Sequence, residues 1–147
     1  MLQHPDGLWP VVAALSSAVP LTPATFGAKL RTPVTGTGYD EYTSVWAGSP
    51  ISLADGVVVT SSELRADSGG EWGEHGLATF DVAGRCVGVD EIKSNHPNAR
   101  FTGGPEDLGG GPPPSWSSPQ PWGTLHFTLN RTPAPCLTEV ILTAERS

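Results

Sequence analysis

The first third of the chain reads as helical, and the remainder reads as short strands. Trp9 to Leu15 is a helix candidate, with Asp6 upstream as a cap, Pro10 in the first turn and Pro20 as the stop. Thr22-Pro23 is a second start signal, Thr at the N-cap and Pro at the first helical position. Phe26, Leu30 and Ala24 are expected to face inward, and Pro33, Gly36 and Gly38 to end the element.

Strand signals follow. Tyr42 to Ala47 is rich in β-branched and aromatic residues, and Ile51 to Leu53 is a short apolar run. The Ala54-Asp55-Gly56 turn leads into a strand from Val57 to Leu64. A Gly-rich acidic loop spans Asp67 to Gly76. From Leu77 to Val82 the residues alternate, which places Ala78, Phe80 and Val82 toward the core. Ala83-Gly84-Arg85 turns into an expected strand from Cys86 to Val89. Asp90 is expected to cap a short helix through Ile92 to about Ser94, which His96-Pro97 ends. The last hairpin is the clearest. Thr124 to Leu129 places Leu125, Phe127 and Leu129 on one face, and Leu137 to Thr143 returns after a turn over 130–135.

One stretch breaks the pattern. Residues 103–122, GGPEDLGGGPPPSWSSPQPW, are more than half Gly and Pro and read as one long loop ending at Trp122. The sum is a single α+β domain over residues 1–147. It should hold a largely antiparallel sheet of six or seven strands, two short N-terminal helices on one face, and the long Gly/Pro-rich loop.

Composition narrows the function classes. The net charge of -7 and pI of about 4.9 argue against nucleic acid as a partner, because phosphate binding needs clustered Lys and Arg. No apolar stretch reaches 18 residues, so no membrane-spanning helix is expected. The N-terminal apolar segment has no basic residue before it, which supports a secretory signal poorly. The protein reads as soluble, with cytoplasm and periplasm both open. Cys86 and Cys136 each begin an apolar run. If those runs are neighbours the two form a disulfide worth roughly 4 kcal/mol; otherwise they are buried thiols.

Candidate chemistry is sparse. Glu71, Glu74 and His75 surround Trp72 in the acidic loop and are the best group for a general base or metal ligand. That run supplies no third anchor, and the four histidines show no close metal-binding spacing, so neither a metal nor a cofactor is expected. No nucleophile elbow or phosphate-binding glycine loop occurs. The reading is therefore a non-enzymatic protein-binding domain, as in an inhibitor or bacterial immunity protein that neutralises a toxin or hydrolase. Trp72 and Trp116 would be its anchors. Glu71, Glu74, Glu106 and Asp107, with His75 beside them, would meet a partner with a basic surface or active site. Two other classes stand beside it: a small metal-dependent hydrolase using the 71–75 loop, and a structural subunit of a virion or secretion assembly.

Overall fold

The computed structural model describes residues 1–39, 41–67, 71–73, 76–103 and 114–144. These form an open, mainly antiparallel sheet of ten strands with three short helices, an α+β arrangement. In chain order the strands are β1 (Leu2–Gln3), β2 (Val34–Tyr39), β3 (Thr43–Gly48), β4 (Ile51–Ser52), β5 (Val57–Asp67), β6 (Leu77–Gly84), β7 (Arg100–Gly103), β8 (Ser115–Gln120), β9 (Gly123–Leu129) and β10 (Leu137–Thr143). The helices are α1 (Leu8–Ser17), α2 (Pro23–Leu30) and α3 (Val89–Asn95). None of them is long and apolar enough to cross a membrane.

The strands pair in the order β1-β4-β5-β6-β10-β9-β8-β7, and β3 joins β5 with β2 outside it. Among the described residues only β1 and β4 run parallel. β3 and β4 act as one broken strand along β5. Gly48 faces Ser62 and Ile51 faces Val59, with Ser49-Pro50 between them. Pro50 has no N–H to give the ladder, so the break falls there.

Sheet and helices share one core. Leu125, Phe127 and Leu129 of β9, Ala78 and Phe80 of β6, and Val140 and Leu142 of β10 are fully buried. Leu8, Val11, Val12 and Leu15 of α1 meet them from the helical side, and Trp9 and His96 both rest against Phe127. Burial pushes the His96 imidazole below its ordinary pKa.

The count of strands differs from the six or seven expected. The added strands β1, β2, β7 and β8 are short, Gly-rich or polar, so their composition reads as turn or loop. β2 (VTGTGY) falls where Gly36 and Gly38 were expected only to end a helix. β8 (SWSSPQ) lies inside the stretch read as loop and pairs with β7 and β9. Pro119 is tolerated because β7 does not extend alongside it; its carbonyl accepts from Asn98 Nδ2 at 3.3 Å. Residues 104–113 lie outside the described residues. Conversely, Cys86–Val89 is not a strand. Val87 is buried and its carbonyl accepts from Leu137 N, but Gly88 is already the N-cap of α3. Asp90 therefore sits in the first turn rather than at the cap, where it still favours the helix dipole.

The start signal of α2 holds, and its inward face holds in part. Thr22 and Thr25 form a reciprocal capping box with Pro23 at the first position. Phe26 and Leu30 are buried, but Ala24 is exposed and Gly27 takes the inward place. His4 is not a loose tail residue. It is 7% exposed, accepts the Asp6 N–H at Nδ1, and donates from Nε2 to the Lys29 carbonyl at 2.8 Å.

α1 has Gly7, not Asp6, at its N-cap, and Gly7 carries no side chain to cap with. The cap comes instead from Asp55, whose Oδ2 accepts the Leu8 N–H at 2.9 Å. Arg85 bridges Asp55 and Glu91, donating to Glu91 through both Nη atoms, and Glu91 also accepts from Trp9 Nε1 at 2.7 Å. Burial works to raise the Asp55 carboxyl, but the Leu8 and Val57 N–H groups and Arg85 outweigh it and leave the pKa lowered. A carboxyl depressed in the folded state stabilises above its unfolded pKa. That stability is lost as pH falls through the ordinary value of 3.8 and below. Asp55→Ala is expected to cost about 1–2 kcal/mol at neutral pH and to flatten the acid limb of the stability curve. Denaturant unfolding of both proteins at pH 7 and pH 3 checks this, and equal losses at the two pH values would refute it.

Candidate functional site

Helices cover one face of the sheet, and the side chains that alternate with the core residues point to the other face. On that second face four strands bring a run of polar side chains level. Ser61 of β5 faces Asp81 of β6, Asp81 faces Glu139 of β10, and Glu139 faces Thr128 of β9. A bulge between Val59 and Ser61 resets the alternation of β5, so that Ser61, Glu63 and Arg65 share this face. Together with Ala47 of β3 and Thr79 of β6 they line a groove of about 420 Å³.

The groove is electrostatically lopsided. Asp81 and Glu139 are direct cross-strand neighbours, a placement in which like charges repel. Burial, the charge of Asp81 and a hydrogen bond between the two carboxyls all raise the pKa of Glu139. The Ser61 hydroxyl donates to Asp81 Oδ2 at 2.9 Å. Among the described residues, the one cation lining the groove, Arg65, is already held by Glu63 at 2.7 Å. Among the described residues no cation pairs with Asp81 or Glu139. Such a pair can share a proton, or it can bind a positive group that relieves the repulsion.

Beyond the carboxyls the same face carries a row of hydroxyls around His126. Its Nδ1 lies 2.9 Å from Ser117 Oγ and its Nε2 lies 3.3 Å from Thr143 Oγ1. Ser117 in turn meets Thr102 Oγ1 at 2.9 Å. His126 thus sits on the polar face, as its alternation with Leu125 and Phe127 requires. The Ser117 contact has the length of a nucleophile–base pair, but the imidazole is bracketed by two neutral hydroxyls.

Those residues singled out in the sequence that the structure describes fall elsewhere. Glu71 is exposed. Trp72 is only 5% exposed and belongs to the core cluster, so its indole is not presented at the surface. Glu74, His75, Glu106 and Asp107 lie outside the described residues. Trp116 is half-buried on the core side of β8, in edge contact with Phe101 at 5.7 Å and beneath Lys93 Nζ at 5.2 Å. Cys86 and Cys136 are joined by a disulfide, with Cα atoms 5.1 Å apart. Among the described residues, no three His, Cys, Asp or Glu side chains come together as a metal site.

Asp81 and Glu139 went unnoticed in the sequence. A partial signal existed: the alternation of LATFDV assigns Asp81 to the less apolar face. Glu139 lies in LTEVILT, where Ile141 shares its face and blurs the pattern. Their juxtaposition depends on the pairing of β6 with β10, which no local signal specifies. No protein-family model matches this chain, and neither a curated protein nor a solved structure matches it.

Proposed function

We propose that this chain is a protein-binding domain that receives a basic group of another protein in the groove beside Asp81 and Glu139. The observation that carries it is the pair itself: two adjacent carboxyls on an open sheet face, with no cation paired to either among the described residues. A natural protein keeps such repulsion where it serves a function. The net charge of -7 would steer a basic partner toward the domain. An inhibitor or immunity-type protein blocking a basic active site is the version that fits best. Glu71 and the acidic loop residues Glu74, Glu106 and Asp107 would add long-range attraction. The disulfide supports an oxidising compartment such as the periplasm over the cytosol, where thiols are kept reduced.

The test is comparative capture from lysate of the protein's own source, read by mass spectrometry and then by titration with the purified partner. The wild type should retain a basic protein at fixed stoichiometry. Asp81→Asn combined with Glu139→Gln should weaken that complex by about tenfold or more at low salt. A partner held equally well by the variant would overturn the groove as the site.

The same substitutions carry a stability signature. A carboxyl whose pKa is raised on folding stabilises fully below its unfolded pKa, and that contribution is lost as pH rises through the folded value. Glu139→Gln should therefore leave the fold at least as stable as wild type at neutral pH while binding is weakened. That separates a functional strain from a structural role.

A further inference from the structure

A second surface lies at the β2 edge of the sheet. β2 pairs with β3 on one side and, among the described residues, with no strand on the other. Residues 34–39 carry no charge and no proline, two of the usual devices that blunt an edge. A bulge lies between Gly36 and Gly38, which leaves Val34 to Gly36 in regular register with Gly48 to Trp46.

Beside this edge α2 and the turn after it form an apolar groove of about 440 Å³. Ala24 and Ala28 are exposed on the helix, and Gly27, Pro33 and Val34 complete the walls. Gly27 is buried because the chain crosses close over it; a Cβ there would come within 2.8 Å of the Thr32 carbonyl. Edge backbone and an adjacent apolar groove are the two parts of a strand-addition site: the ladder supplies affinity and the groove takes side chains.

The charges around the edge indicate the occupant. The segment begins with exposed Lys29 and Arg31 and ends with exposed Glu41, with an uncharged strand between. Two copies related by a two-fold axis and paired antiparallel would set the basic end of each against the acidic end of the other. We propose that the protein self-associates through β2, a second copy of this chain adding its β2 to the sheet and covering the α2 groove. This surface is self-complementary, as an isologous interface requires. Thr35 of β2 faces Ala47, which lines the acidic groove, so the dimer would join two such grooves on one continuous sheet. The inference does not depend on what the acidic groove binds.

Sedimentation velocity from low micromolar to near-millimolar protein tests it. Wild type should pass from monomer to dimer. Ala28→Glu, at an exposed helix position, should raise the dissociation constant by about tenfold or more, with unchanged thermal stability. Arg31→Glu or Glu41→Lys alone should weaken the dimer by roughly two- to fivefold, and the double swap should restore it. A monomer at every concentration overturns the proposal. A dimer indifferent to Ala28→Glu and to the charge swap also overturns it, since association would then use another face.

Discussion

Trp72→Ala should cost about 3–5 kcal/mol of folding free energy, which lowers the melting temperature by roughly 10 °C for a domain of this size. The indole is 5% exposed although it lies in a Gly-rich acidic loop. Its seat is built by the chain around it. Gly73 adopts φ +57, a left-handed conformation that other residues reach only with strain. Asp67 N donates to the Glu71 carbonyl at 2.7 Å, which anchors the backbone beside the indole. Gly76 passes so near that a Cβ there would overlap the indole. Removing the ring empties a cavity that these backbone contacts hold open, so collapse recovers little of the loss. Denaturant unfolding measures the effect. A loss below about 1 kcal/mol, together with weakened partner binding, would mean that the indole spends its time at the surface as a binding anchor.

The second large effect is expected at the disulfide. Replacing Cys86 and Cys136 together by Ser should cost about 4 kcal/mol, the loop-closure entropy for a separation of 50 residues. The bond ties the approach to α3 to the start of β10. Beside it Leu137 N donates to the Val87 carbonyl at 2.8 Å and Asn130 N to the Cys136 carbonyl at 3.0 Å. The cross-link thus holds a segment that has no strand pairing of its own. Unfolding with and without reductant checks this: wild type should lose stability on reduction, whereas the double variant should be indifferent. Equal midpoints for reduced and oxidised wild type would refute the contribution.

The two effects differ in how readable they were. The pairing of Cys86 with Cys136 was one of two open readings, because both begin apolar runs. The burial of Trp72 was not visible, since a tryptophan amid Glu and Gly reads as exposed until the loop's path is known. The acidic pair was hidden for a third reason. Asp81 and Glu139 become neighbours only through the register of β6 on β10, and a slip of one residue would send either to the opposite face.

Local chemistry was decided by the sequence alone. The N-cap at Thr22, the stop after α2, and the inward faces of β6 and β9 follow from propensity and period, which act over a few residues. The α+β class and the antiparallel character follow from short connections. Tertiary structure decided the rest. It made strands of VTGTGY and SWSSPQ, because pairing with neighbours outweighs weak intrinsic preference. It capped α1 with an aspartate 47 residues away from Leu8 and pinned His4 against Lys29. It also set two carboxyls side by side. These are contacts between distant parts of the chain, and their energy exists only once the core has brought the strands together.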